Sequence, residues 1–344
     1  MYFDAANVIK KKIVLGINPQ ENNNKLDIAY GIDKNFFSGC IISITSILLF
    51  NSNLNFSFHI FANYIDDSLE RKLNELVNKY NVNITIYLID DMYLSNLPTT
   101  QNWSIATYFR FIIADYFFSK INKILYLDAD IFCKGSIKEL FFLQFEDNIA
   151  YVVKEKNNIW WKKCATRLNE KKLEFGYFNA GFLLIDLNKW KEFEVNNKAL
   201  ELLSNPSSRS KFTHLDQDVL NLILLDNIKY LDRKYNKQIN INYELKYKTT
   251  INNNELAISD EMILIHYIGP TKPWHSWAKD YKYTEFFLNA KFYSPCKTEP
   301  LLEPCNSQQL RYCAKHKMHQ KKFFSSLFFY LKYFVRKIKD RITY

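Results

Sequence analysis

Lys123-Ile124-Leu125-Tyr126-Leu127-Asp128-Ala129-Asp130 decides the architecture: four strand-forming apolar residues run straight into two carboxylates one residue apart. An unbroken apolar run of this length reads as a strand covered on both faces, which belongs in a sheet flanked by helices. Upstream the pattern repeats. Leu26–Ile32, Ser57–Ala62 and Asn83–Ile89 read as buried strands, and Phe36–Leu49, Asp66–Tyr80 and Ile105–Phe118 as the helices between them. Such a βαβ series implies parallel strands. In these sheets ligands bind beyond the carboxyl ends of the strands, so polar residues just after a strand are candidates for function. Two places qualify, Gly31-Ile32-Asp33-Lys34-Asn35 and Asp128-Ala129-Asp130.

Downstream, Ala180–Ile185 is another apolar run, Asn188–Leu203 has helical spacing, and Met262–His266 reads as a last strand entering a polar, Pro-containing loop. Asp232–Ser259, rich in Asn, Lys and Tyr, shows no steady period and is assigned to irregular structure. Lys291–Pro304 carries three prolines and reads as a linker. The expected organisation is an extension over 1–25, the main α/β domain over 26–290 and a basic, aromatic, membrane-associating helical region over 291–344.

Composition excludes several classes. With 344 residues, 48% of them hydrophobic, 24% charged, and only seven Gly and eight Pro, the chain is neither disordered nor collagen-like. The six cysteines are sparse and irregularly spaced, as suits a reducing, cytoplasmic compartment. Met1–Lys12 lacks the apolar core of a signal peptide. Gly39–Phe50 and Phe323–Val335 fall short of the ~20 residues that cross a bilayer.

The net charge of +10 is concentrated. Residues 306–344 hold ten Lys or Arg against Asp340 alone, which leaves the first 305 residues nearly neutral. Phe324, Leu327, Phe328, Leu331, Phe334, Val335 and Ile338 recur at three- and four-residue steps beside Lys332, Arg336, Lys337 and Lys339. This is the pattern of a basic amphipathic helix that lies on an anionic membrane surface, each cation contributing about 1 kcal/mol. Packing against the protein's own body is the alternative. Nucleic acid is not expected, because no recognition motif accompanies the charge.

Asp128 and Asp130 at a strand end can hold a hard divalent cation, although a plain turn or helix cap leading into Ser136–Phe142 would use the same residues. His266-Tyr267-Ile268-Gly269-Pro270-Thr271-Lys272-Pro273-Trp274 follows a second strand. There an imidazole can add to the metal's ligands, Gly269 admits a diphosphate close to the backbone, and Lys272 brings a point charge. Arg110, mid-helix among aromatics, is costly to bury without an anion. Trp160-Trp161 with Lys162-Lys163 can form a lid on the acceptor side or anchor a loop. Cys305, Cys313, His316 and His319 contain metal-ligand types but lack the paired spacing of a zinc finger.

These stretches together resemble family 8 glycosyltransferases. Leu26–Asp33, Tyr108-Phe109-Arg110, Leu125–Asp130, Tyr177-Phe178-Asn179-Ala180-Gly181, Leu215-Asp216-Gln217-Asp218-Val219-Leu220-Asn221 and His266–Trp274 are similar, in order, to that family's signatures over 26–277. Within it, Ser43-Ile44-Thr45-Ser46-Ile47, Cys133-Lys134-Gly135-Ser136 and the basic aromatic tail look most like bacterial lipopolysaccharide core glucosyl- and galactosyltransferases. The resemblance implies an α/β GT-A fold, a Rossmann-like mixed sheet flanked by helices. It also implies a UDP-glucose or UDP-galactose donor, Mn2+ or Mg2+, and retention of configuration.

Carried over by position, Asp128, Asp130 and His266 would bind metal, and Gly31, Ile32, Asp33, Asn35, Gly269 and Lys272 would hold UDP. Arg110, Asn179, Ala180, Asp216 and Gln217 would line the donor sugar. Gln217 is a poor nucleophile, which favours same-face displacement with the departing phosphate taking the acceptor's proton. Covalent attack by Asp216 or Asp218 is the rival. The expected acceptor is a lipid-anchored core saccharide at the cytoplasmic face of the inner membrane. The alternatives are a protein or other glycan acceptor, or a nucleotide-sugar-binding protein without turnover.

Overall fold

The computed structural model describes residues 3–16, 25–100, 104–205, 210–245 and 258–342. Its main sheet contains β1 (Ile9–Leu15), β2 (Lys25–Ile32), β3 (Asn55–Ala62), β4 (Asn83–Ile89) and β5 (Lys123–Leu127). A short β6 (Ile131–Cys133) leaves it, and β7 (Ala150–Lys154), β8 (Phe178–Asp186) and β9 (Ile228–Leu231) rejoin it, giving the order β1-β4-β3-β2-β5-β8-β7-β9. The four strands β4, β3, β2 and β5 are parallel, as the βαβ reading requires. β8 reverses direction against both β5 and β7, so the sheet as a whole is mixed. A second sheet of three strands joins β6 to β10 (Lys237–Gln238) and β11 (Leu264–His266).

Strand alternation divides the interior in two. On β2, Leu26, Ile28, Tyr30 and Ile32 face one core while Ala29 faces the other. α2 (Phe37–Phe50) and α3 (Asp67–Tyr80) cover the first face, and α4 (Phe109–Phe117) and α5 (Asn158–Leu168) the second. α3 is amphipathic: Leu69, Leu73, Leu76 and Val77 are buried, Asp66 caps its first turn, and Asn81 in left-handed conformation (φ 49°) ends it. α2 is buried almost all round, so its hydroxyls need partners. Ser43 donates to the Ile131 carbonyl (2.6 Å) and Ser46 accepts from the Cys133 amide (2.8 Å), which fixes β6 against the helix.

Three expectations change. The extension expected over 1–25, which had no clear role, has one in its described part: β1 pairs antiparallel with β4, and Phe3 together with Ala5 and Val8 of the short α1 segment (Ala5–Val8) enters the second core. Periodicity hid β1 because Lys10, Lys11 and Lys12 occupy consecutive positions on an edge strand, where lysine discourages further pairing. The helical stretch 188–203 is two helices, α6 (Leu187–Glu192) and α7 (Val195–Ser204), separated at Glu194 (φ 56°). Residues 291–304 do not form a loose linker. The Lys291 ammonium donates to the carbonyls of Cys296 (2.8 Å) and Glu299 (2.6 Å), and Leu302 exchanges backbone hydrogen bonds with Trp274 and Ser276. Within Asp232–Ser259, residues 246–257 lie outside the described residues; the rest forms short turns and β10.

α8 (Leu215–Ile223), α9 (Glu285–Tyr293), α10 (Ser307–His319) and α11 (Phe323–Ile342) complete the chain. α10 buries Leu310, Cys313, Ala314 and His316. α11 leaves its apolar stripe uncovered, with Phe324 at 94% exposure and Leu327, Phe328, Leu331, Phe334, Val335 and Ile338 all more than half exposed. Among the described residues no helix is long and apolar enough to cross a membrane. All six thiols are unpaired, and only Cys305 is exposed.

A chain begun at Lys25 would uncover the backbone donors and acceptors of β4 and part of the second core. We expect a lower melting temperature and faster aggregation than the full chain, measured by scanning calorimetry and light scattering. An unchanged melting temperature would show that β1 is dispensable to the sheet.

Candidate active site

β5 delivers the two carboxylates, and both sheets hold them. The Asp128 amide donates to the Gly181 carbonyl on β8 (2.8 Å), and β6 begins directly after Asp130. β6 pairs antiparallel with β11, His266 opposite Ile131, and the Tyr267 amide donates to the Asp130 carbonyl (3.0 Å). The small sheet thereby brings His266 beside two aspartates more than 130 positions earlier. Ligand atoms of Asp128, Asp130 and His266 all lie within 4.8 Å of one another.

The hydrogen bonding around this trio points to a cation. His266 Nδ1 is 3.0 Å from Asn236 Oδ1, and a carboxamide oxygen only accepts, so the imidazole proton sits on Nδ1. With the ring neutral in this tautomer, the Nε2 lone pair faces Asp130 Oδ1 at 3.1 Å, a buried oxygen with no other hydrogen-bond partner. Burial would raise the Asp130 pKa, but the Lys272 ammonium beside it outweighs burial and the carboxyl stays well below the usual range. Two acceptors facing each other leave room for positive charge between them. Gly181 keeps the space open: a Cβ there would come within 2.5 Å of His266 Cε1 and 2.6 Å of Asp128 Oδ2. Two carboxylates and one imidazole suit Mn2+ or Mg2+.

These groups open into a pocket of about 280 Å³. One wall carries Gly31, Ile32 and Asp33 from the end of β2, and another carries Gly269 and Lys272, whose ammonium is hydrogen-bonded to Asp130. Asn35 does not line the pocket; it is exposed, and its amide donates to Asp33 Oδ1 (2.8 Å) in a local turn. Asp33 also accepts from Ser104 (2.7 Å).

The floor is a charged lattice. Arg110, buried on α4, meets the anions its position called for: Asp216 at 3.0 Å and Asp128 at 3.3 Å, with Tyr126 beneath the guanidinium. Burial pushes the Asp216 carboxyl up to about 6 despite Arg110 and the Thr107 hydroxyl. Leu215, at φ 43°, starts α8 in a strained left-handed conformation just before Asp216 and Gln217.

Gln217 has every polar position engaged. Its Oε1 accepts from Asn179 (3.0 Å) and the Ala180 amide (3.1 Å), and its Nε2 donates to Glu155 (2.5 Å) and Tyr177 (3.2 Å). Asp218 is enclosed by Arg167 in bidentate contact (2.6 and 2.7 Å), Tyr177 (2.6 Å) and the His214 amide (2.8 Å).

Sequence reasoning did not single out Glu155, Asn236 and Asn240, which complete these networks. Asn236 and Asn240 were hidden in an Asn-rich stretch without periodicity, and Glu155 is one acid among many. Trp160 and Trp161 sit on α5: Trp161 donates to the Glu155 carbonyl, while Trp160 lies against His214 and beneath the Lys156 ammonium (3.5 Å). No zinc site forms from the C-terminal residues, because Cys305 bonds Gln309 and His316 bonds Tyr281 and Asn242.

A mixed sheet whose fifth strand ends in Asp-x-Asp opposite an imidazole defines the GT-A class of glycosyltransferase. The model for glycosyl transferase family 8 matches residues 27–278, and that for the family 8 C-terminal region matches residues 281–337. The chain belongs to glycosyl transferase family 8. It is 46% identical over 340 residues to the lipopolysaccharide 1,3-galactosyltransferase of Salmonella typhimurium, covering 98% of this chain and 99% of that protein. To the lipopolysaccharide glucosyltransferase WaaO of Escherichia coli it is 45% identical with the same coverage. The structure of galactosyltransferase LgtC in complex with donor and acceptor sugar analogues superposes with a TM-score of 0.64 at 21% identity. That superposition spans 78% of this chain and 96% of LgtC, a likeness of fold.

Gly181→Ala places a methyl group where the ion would sit, at a backbone position that tolerates it. Its His266 and Asp128 neighbours cannot retreat easily, being held by Asn236 and by Arg110 and Tyr126. We expect Mn2+-dependent UDP binding to weaken roughly 10–100-fold in titration calorimetry while the fold persists. Undiminished binding would remove the metal from this cradle.

Proposed function

We propose that the chain transfers a hexose, glucose or galactose, from a UDP-sugar to a lipid-anchored lipopolysaccharide core saccharide, with retention of configuration. The observation that carries this reading is that Asp128, Asp130, His266 and Lys272 line the same pocket as Arg110, Asp216, Asn179 and Gln217. The names of the two curated relatives support the acceptor class, and they differ in the hexose.

In this reading Gly31, Ile32 and Asp33 hold the nucleoside, and Gly269 and Lys272 the diphosphate. Mn2+ or Mg2+ held by Asp128, Asp130 and His266 would supply Lewis-acid stabilisation of the phosphate charge. Lys272, already beside Asp130, stabilises the same developing charge from the protein. Arg110, Asp216, Asn179 and the Ala180 backbone bind donor-sugar hydroxyls.

As the bond from C1 to the phosphate oxygen breaks, its electron pair leaves with UDP. The acceptor hydroxyl forms the new bond from the same face and passes its proton to the departing phosphate. Two features favour this over a covalent intermediate. Gln217 is a carboxamide with its oxygen doubly hydrogen-bonded, and Asp218 would have to surrender a bidentate arginine and two further donors before attacking. Asp216 remains the carboxylate rival, held by Arg110. Glu155, Lys156 and His214 also line the pocket, and with Trp160 packed behind Lys156 and His214 they are the residues we assign to the acceptor side.

The test is turnover of UDP-glucose and UDP-galactose against truncated lipopolysaccharides, with the product's anomeric configuration read by NMR. We expect one donor to give an α-linked product with Mn2+ or Mg2+ and none after chelation. UDP-sugar binding without turnover on any core acceptor would instead favour a non-catalytic protein.

The uncovered stripe of α11 with its flanking cations supports peripheral attachment to an anionic surface on the cytoplasmic face of the inner membrane. Sedimentation with phosphatidylglycerol vesicles should carry down the full chain and leave a chain ended at Gln320 in solution. Equal pelleting of both would dismiss the stripe as the attachment surface.

A further inference from the structure

The loop that carries Gly269 and Lys272 is braced from behind by the C-terminal region. Thr271, between them in sequence, is buried, and its hydroxyl donates to Asn242 Oδ1 at 2.7 Å. The same oxygen lies 2.9 Å from Nε2 of His316, the buried histidine of α10. Because a carboxamide oxygen only accepts, His316 carries its proton on Nε2, and its Nδ1 accepts from the Tyr281 hydroxyl at 2.6 Å. Burial pushes the His316 pKa down to about 3, in keeping with a neutral ring.

Asn242 reaches the loop by a second route. Its amide donates to Asn240 Oδ1 (3.0 Å), and the Asn240 side chain lies 3.0 Å from where a Cβ on Gly269 would stand. Gly269 itself, at φ 85°, has a conformation that few other residues adopt. The loop is also tied within itself, the Lys272 amide donating to His275 Nδ1 (3.0 Å).

An apolar side chain on α10 would fill the volume of His316 without the cost of burying two polar nitrogens. What the imidazole adds is direction: it orients one carboxamide, which aims one threonine. We propose that His316 is a positioning residue for the donor-diphosphate loop, acting through the Asn242 side chain on Thr271. The proposal rests on Gly269 and Lys272 holding the diphosphate. It gives the C-terminal helices a part in donor binding, since α10 is joined to α11 by a Ser326 to Ala314 hydrogen bond (2.8 Å) as well as by the chain.

The full-length chain, His316→Leu and His316→Gln are compared for UDP affinity with Mn2+ by calorimetry and for kcat and KM with the UDP-hexose. Leucine keeps the bulk and loses both hydrogen bonds; glutamine can donate to Asn242 and accept from Tyr281. For His316→Leu we expect UDP dissociation and donor KM to rise about 5- to 30-fold, with kcat changed far less, and for His316→Gln we expect most of the affinity to return. Equal UDP affinity in His316→Leu and the unsubstituted chain overturns the positioning role while leaving the donor site in place. A loss that glutamine does not restore overturns it as well. If leucine prevents folding, Tyr281→Phe, which removes the hydroxyl bonded to Nδ1 and keeps the ring, should weaken UDP binding about threefold, and no change there overturns the proposal. An unsubstituted chain that binds no UDP with either metal overturns the donor reading and this proposal together.

Discussion

A lone pair of His266 and a carboxylate oxygen of Asp130 face each other across 3.1 Å, and that opposition is the constraint around which the molecule is arranged. Neither group is free to turn away. Asn236 holds the imidazole by its other nitrogen, and Lys272 takes the second oxygen of Asp130. In a buried setting such a pair of acceptors is unfavourable unless a proton on Nε2 or a cation lies between them, and Gly181 leaves the volume that a cation needs. The β6–β11 pairing that creates the opposition is the reason for a second sheet. The hydroxyls of α2 that fix β6 serve it from a distance.

A second cluster, Arg110 with Asp128, Asp216 and Tyr126, shares Asp128 with the first. The two clusters are therefore electrostatically connected, and a change at Asp216 is felt at Asp128. The left-handed backbone at Leu215 sets the entry of the chain into the helix that carries the buried Asp216 and Gln217.

Much of this was legible in the sequence wherever local pattern and long-range structure agree. The parallel strands announced themselves because both faces are buried, and Asp128, Asp130 and His266 because they stand at or just beyond strand ends. Arg110 was conspicuous as a charge in an aromatic helix. β1 was not legible, since an edge strand with three lysines lacks the period of a buried one. Asn236, Asn240 and Asn242 were not either: what matters about them is the direction of a carboxamide, set by tertiary contacts that leave no trace in spacing. Asn35 shows the opposite failure, a motif position whose side chain the turn at Asp33 leaves outside the pocket.

The burial of five of the six cysteines has a practical corollary. Desolvation raises the pKa values of Cys40, Cys133, Cys164, Cys296 and Cys313, which keeps them as thiols and slow to react with electrophiles. Cys305 alone meets solvent, and it stands where the chain enters the C-terminal helices. A maleimide fluorophore would accordingly label the native protein at one address, next to the segment whose coupling to the sugar-nucleotide pocket is in question, without any cysteine having to be engineered in or out.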